Sequence, residues 1–164
     1  WMEYLKARQV VDPAHAATLA RNALVFVGRP GAAAGLRDLP RLQRVALGSP
    51  RSVPAGAYAM EALKKAGLDQ ALASRFVFGQ DVRACLMYAE RGEVDGAFVY
   101  ASDALQASRV VRLFQVPAEL HAPIVYPLAL TRAGAKNPDA VAFFAYLRGD
   151  AAKAVLTRRG FLAP

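Results

Sequence analysis

The sequence predicts an α/β protein built on a largely parallel sheet. Between Ala23 and Val116 short apolar runs alternate with helical patterns, as strand–helix–strand units require. The apolar runs are four to six residues long, and glycines fall just past the clearest helical stretches.

Taken in order, "WMEYLKARQVVD" opens the chain like the interior of a helix already under way, with no charged, apolar and cleavage-site succession ahead of it. "ALVFVG" (Ala23 to Gly28) reads as a buried strand and "GRPGAAAGLRDLP" as a loop with a short helix. That loop lacks the Lys-Ser/Thr that would complete a phosphate-binding motif. "RVALG" is the next strand. The helix from Pro54 then runs to Gly67, with Ala59, Leu63 and Ala66 on one face and a Glu61–Lys65 pair on another. A short helix near "DQALASR" precedes the strand "FVFG", and "DVRACLMYAERG" is a second clear helix with Val82, Cys85, Leu86 and Ala89 along its apolar stripe. "GAFVY", a helical "SDALQAS" and "RVVRLFQV" complete the series.

From Pro117 the pattern changes. "HAPIVYPLAL" is strand-like, but Pro127 lacks the N–H that a central strand needs, which predicts a crossing or edge element. Two helices follow. Asn137-Pro138 supplies a cap and a first position, Val141, Phe144 and Leu147 face inward, and Asp150 is placed to cap the last helix. These terminal helices carry apolar faces with no strands of their own to cover.

Composition narrows the function. Hydrophobic residues make up 55% and charged residues 21% of the 164, which excludes disorder, and no apolar run nears the roughly 18 residues of a spanning helix. A soluble globular chain is expected. The net charge of +8 comes from scattered arginines without a basic helix or an aromatic-plus-basic platform, so nucleic acid is not an expected partner. The single cysteine, Cys85, excludes an internal disulfide and behaves as a small hydrophobe on its stripe. His15 lies in a polar helical stretch where a solvated side chain is expected, and His121, at the proposed crossing, is expected to be structural. Neither has ligand-like spacing, and no nucleophile elbow is present, so the chain is not expected to be an enzyme.

One device repeats: a strand, a short turn, and a helix whose first turn is small or apolar. It occurs at Pro54-Ala55-Gly56 and at Asp81-Val82-Arg83, while a third strand ends in Tyr100. In an open parallel sheet the strand ends and following helix starts share one rim. Helix-start amides there bind anions by hydrogen bonds and by the helix dipole. A fully deprotonated oxyanion only accepts hydrogen bonds, so neutral fixed donors satisfy it without the desolvation cost of a buried ammonium.

The stretches "GSPRSVPAGAYAMEALKKAG", "QDVRACLMYAERGEVDGAFVYASDAL", "HAPIVYPLAL" and "AFFAYLRGDAAKAVLTRRGF", in this order, resemble the periplasmic molybdate-binding component of ABC-type molybdate transporters. The resemblance implies a type II solute-binding fold in which one complete parallel-sheet lobe is joined to part of a second lobe. Residues 1–22 would end the first lobe and lead into the hinge, 23–116 would form the second lobe, and 117–164 would return as a crossing strand and C-terminal helices. Matched by motif, the backbone amides of Ala55 and Val82 and the hydroxyl of Tyr100 would hold the anion. The ligand would be molybdate or tungstate, with no further cofactor, no direct metal ligand, and delivery to a membrane permease. Location would be periplasmic, with a signal peptide and the family's N-terminal serine donors in a segment expected to be missing here. The incomplete lobe invites self-association. Ser49 stands where many members carry an acidic residue. A sulfate or other oxyanion carrier, the sensing domain of a transcriptional regulator, and an enzyme on the same fold are the rivals.

Overall fold

A computed structural model describes residues 2–164, which divide into two compact units: the two chain ends, up to Asn22 and from Ile124, and the stretch Ala23–Pro123. The chain begins with α1 (Met2–Ala7), in keeping with the helical opening; Trp1 lies outside the described residues. It continues as β1 (Val11–Arg21), although the polar pattern around His15 predicts a helix. Pro13 is the physical reason, because it cannot donate inside a helix and would clash with the preceding turn. The Asp12 carboxylate instead takes the Ala14 N–H at 3.0 Å and lies 2.9 Å from His15 Nδ1, folding the chain into a local turn. These contacts hold the Asp12 carboxyl below its ordinary pKa, the His15 hydrogen bond being the largest cause.

The central unit contains β2 (Leu24–Gly28), β3 (Val45–Gly48), α2 (Pro54–Lys65), α3 (Asp69–Leu72), β4 (Phe76–Gly79), α4 (Val82–Glu90), β5 (Gly96–Tyr100), α5 (Ala101–Ala104) and β6 (Val111–Gln115). Its five-stranded sheet has the order β4-β3-β5-β2-β6. β3 is parallel to β4 and to β5, but β2 runs antiparallel to both its neighbours, β5 and β6. The sheet is therefore mixed: parallel across β4, β3 and β5, as the alternation predicts, and antiparallel where β2 pairs with β5 and β6. The reason lies between β2 and β3, where the chain offers only a loop and a short 3-10 turn (Leu36–Arg41). A parallel pair needs a crossover back along the sheet, whereas a loop that stays at one end reverses the strand.

Alternation sorts the central strands onto two packed faces. Val25, Val27, Ala46, Ala97 and Val99 join Cys85, Leu86 and Ala89 of α4 in one buried cluster. On another side of the core Phe26 meets Phe98 edge-on at 5.0 Å and stacks on Phe114 at 5.2 Å, while α2 packs against β3 and β5. Leu24, Val25, Phe26 and Val27 are all fully buried, and each such side chain contributes about 1.5–3 kcal/mol, so this short strand is the hub of the unit. Gly67 and Gly92, at φ +70° and +71°, end α2 and α4 in the left-handed conformation that glycine adopts without cost. The unit runs on through Pro123, past Val116, because Ala122 N–H donates to Glu61 Oε2 on α2 at 3.0 Å and the buried His121 packs on Tyr58.

The other unit is completed by β7 (Val125–Thr131), α6 (Pro138–Arg148) and α7 (Asp150–Arg158). β7 pairs antiparallel with β1 alone, Pro127 opposite Thr18, in a two-stranded sheet that keeps the proline at an edge. The register shifts between Val11 and Ala16, which lets β1 absorb Pro13 and the Asp12 turn as a bulge. Asn137 caps α6 through its side chain, accepting from Asp139 N–H at 2.9 Å. Phe144 is buried, and the His15 ring lies edge-on to it at 6.0 Å. α7 departs from expectation: Gly149 is its N-cap and Asp150 its first residue, where the carboxylate faces the helix dipole instead of bonding an amide. Phe143 and Tyr146 of α6 remain exposed and stacked on each other, 6.3 Å apart.

Candidate anion-binding site

Two glycines bring helix starts onto strand ends. Gly48 closes β3 and Gly79 closes β4, paired in parallel register, with Ser49 N–H donating to Gly79 O at 3.0 Å. A Cβ on Gly56 would fall 1.8 Å from Gly48 O, and one on Gly79 would fall 2.5 Å from Cys85 Sγ. Neither position accepts a side chain. α2 and α4 therefore begin beside each other at the ends of adjacent strands, and β5, parallel to β3, carries Tyr100 to the same rim.

Sequence reading leaves the whole first turn of α2 bare, but the structure satisfies most of it. Ser49 O accepts from Ser52 N–H at 3.1 Å and Val53 N–H at 2.8 Å, and Val53 O accepts from Gly56 at 3.0 Å and Ala57 at 3.1 Å. Pro54 has no N–H. That leaves the amide of Ala55, with no acceptor among the described residues, on a residue only 1% exposed. Burial excludes a longer side chain there, and the glycine that follows is explained by its contact with Gly48 rather than by a ligand.

At α4, Asp81 caps through its side chain, taking Ala84 N–H at 2.7 Å, while its carbonyl receives Cys85 N–H at 3.3 Å. The Val82 amide has no acceptor among the described residues, and the half-buried Val82 side chain packs onto the core cluster. Tyr100 is the last residue of β5 and the N-cap of α5, half-buried in extended conformation. The structure thus places Ala55, Val82 and Tyr100 at the ends of β3, β4 and β5, three neighbouring strands of one sheet.

Sequence reading missed Asp103. It stands in the first turn of α5, where it accepts a hydrogen bond from the Tyr100 backbone and feels the charge of Arg83 on α4. Partial burial is the largest influence on it and raises its pKa above the ordinary aspartate value, against those two. The available signal was an acid three positions after a strand-ending residue, the spacing by which an acidic side chain reaches back to an N-cap amide.

Burial pushes the Cys85 thiol up to about 11. Among the described residues no group of three His, Cys, Asp or Glu could hold a metal ion, and none of their helices is long and apolar enough to cross a membrane. A cavity of about 510 Å³ in the central unit is walled by Leu36, Leu68, Phe114, Pro117 and Leu120, apart from the three rim residues.

The family model for bacterial extracellular solute-binding proteins matches residues 1–162. The chain belongs to that family. Haemophilus influenzae molybdate-binding protein ModA is 34% identical over 171 residues, which cover 99% of this chain and 67% of ModA. A Bacillus subtilis protein assigned by name as an ABC transporter substrate-binding lipoprotein, YvgL, is 40% identical over 126 residues, 77% of this chain and 48% of YvgL. Among solved structures, a substrate binding domain attributed to a molybdenum ABC transporter from Clostridium difficile superposes with a TM-score of 0.90 at 26% identity. That match covers 99% of this chain and 72% of the other. The chain spans about half to two thirds of the length of these two curated relatives.

Proposed function

We propose that the protein captures molybdate, and tungstate with it, outside the cytoplasmic membrane and delivers it to the permease of an ABC transporter. The observation that carries this is the pair of helix starts on adjacent strands, whose Ala55 and Val82 amides have no acceptor among the described residues. In this reading the two amides and the Tyr100 hydroxyl each donate to an oxygen of the tetrahedral anion. The dipoles of α2 and α4 add partial positive charge without a buried counter-ion. Nothing covalent happens to the ligand, so no cofactor, catalytic acid or nucleophile is called for. The molybdate-binding name of the Haemophilus influenzae relative supports the choice of anion.

Fixed donors prefer an anion without protons, because a protonated oxygen would need an acceptor in the same place. Molybdate and tungstate should therefore bind, and phosphate should not. Sulfate, equally free of protons but smaller, is the discriminating competitor. Titration calorimetry with molybdate, tungstate, sulfate and phosphate tests the proposal, and equal affinity for sulfate would overturn the molybdate assignment.

A further inference from the structure

The cavity of about 510 Å³ lies at the end of α2 away from the rim. Ala66, the C-cap of α2, lines it, and Ala55 stands at the start of the same helix, roughly 16 Å away at 1.5 Å per residue. Short local bonds fix its walls. Leu36 and Arg37 belong to the 3-10 turn Leu36–Arg41, which Asp38 steadies by taking the Ala34 N–H at 2.9 Å. Arg75 pins the other side of that turn by donating to Pro40 O and, at 2.7 Å, to Leu42 O. The turn after α2, with Gly67 N–H on Lys64 O at 3.0 Å and Leu68 N–H on Leu63 O at 2.9 Å, sets Leu68 in the wall. Leu120 ends a turn closed by its own N–H on Pro117 O at 3.1 Å, and the Phe114 ring is stacked on the fully buried Phe26.

Leu36, Leu68, Phe114 and Leu120 are only half-buried, so apolar side chains with fixed positions face an open cavity. Covering them removes apolar area from water, which favours an apolar occupant. The lining carries one charge, Arg37, which is exposed and in no ion pair among the described residues. Its neighbour Asp38 is already engaged, with the Ala34 N–H and with Arg41 at 3.4 Å. The negative end of the α2 dipole is blunted here, because Gly67 and Leu68 take two of its last carbonyls and Lys64 and Lys65 stand in its last turn. Preformed cavities of about 300–1,000 Å³, mostly apolar with a few placed polar groups, are the usual form of small-molecule sites. We propose that this cavity binds a small organic carboxylate with an apolar body, the body against Leu36, Leu68, Phe114 and Leu120 and the carboxylate on Arg37. The site is separate from the rim and does not rest on the oxyanion reading.

The probe is 3-phenylpropionate, followed by ¹⁵N chemical-shift titration of the whole chain. Saturable shifts should gather on the Leu36, Arg37, Leu68 and Leu120 amides with a dissociation constant of about 1 mM or tighter, and the Ala55 and Val82 amides should stay still. The neutral 3-phenylpropionamide keeps the body and loses the charge, and should bind the same place about three- to fivefold more weakly, the worth of an exposed ion pair. Arg37→Gln should weaken the acid by that factor and leave the affinity for the neutral compound unchanged. Because Arg37 is exposed, thermal melting of the variant should match the parent. Acetate, a charge without a body, should not saturate these amides. The absence of saturable shifts at the wall by about 10 mM 3-phenylpropionate overturns the inference, since binding weaker than that is not a site. Equal affinity for the acid and its neutral counterpart overturns the carboxylate, and acetate producing the same shifts would reduce the effect to general attraction by a chain of net charge +8. Molybdate in the same tube should change none of these results, so failure at the rim and failure at the cavity are read separately.

Discussion

Gly56 lies so close to the carbonyl oxygen of Gly48 that a Cβ on it would fall 1.8 Å from that oxygen. The contact sets how near α2 comes to the end of β3, and so where the Ala55 amide stands. Gly56→Ala must push helix and strand apart. Overpacking of this kind costs about 1–3 kcal/mol, and a backbone obstacle puts it at about 3. Urea unfolding should show the midpoint fall with the slope unchanged. A variant as stable as the parent would mean that α2 does not sit on β3 as described.

Tyr100→Phe removes one hydroxyl and keeps the ring. If that hydroxyl donates to the anion, the variant loses a hydrogen bond to a charged group, typically about 1.5–3 kcal/mol, and molybdate affinity falls roughly 10- to 100-fold. The fold should hold, because Tyr100 joins β2 and α5 through its backbone position. Calorimetry alongside thermal melting separates the two effects. Unchanged affinity would reduce Tyr100 to a packing residue.

Cys85 is fully buried under Gly79, and burial raises its thiol pKa to about 11. Thiolate is the reactive species, so folded protein at pH 8 should resist iodoacetamide and denatured protein should take one label. Mass spectrometry reads the difference. Fast labelling of the folded chain would show that α4 opens away from β4.

Glu90 closes α4 onto the turn before β6. Its Oε1 accepts Ser108 N–H at 2.7 Å, Ser108 Oγ–H at 3.0 Å and Arg109 N–H at 3.3 Å. These bonds favour the ionised form and lower its pKa from 4.5, the Ser108 amide being the largest cause. A lowered carboxyl pKa in the folded state gives stability that is present above the unfolded value and lost as pH falls through the folded one. The parent should therefore exceed Glu90→Gln in stability at neutral pH, and the gap should close below pH 4.5. A gap that does not change with pH would assign the effect to shape rather than charge.

Much of the central unit was legible from the sequence because its signals are local. "LVFV" is apolar without a break and lies fully buried as β2; Pro54 starts α2, Asp81 caps α4, and Gly67 and Gly92 stop those two helices. Pro127 correctly restricted β7 to an edge. Capping, chain stiffness and side-chain burial act over a few residues, so they leave marks that can be read in a window.

Strand direction and the state of each amide do not act locally. β2 reads like its neighbours yet runs against them, because direction depends on where the chain goes after Gly28 and not on the residues within the strand. His15 sits in a polar pattern that suggests a helix; Pro13 argues locally against one, and pairing with β7 and the Asp12 turn make the stretch a strand. The first turn of α2 looks uniformly bare in sequence. Only the folded chain shows that Ser49 and Val53 carbonyls satisfy most of it, that Gly56 is small because Gly48 is behind it, and that the Ala55 amide is what remains. The sequence determined which segments become strands and helices and where they stop; the tertiary structure decided which amides are left over, because a hydrogen bond is counted only when both partners have arrived.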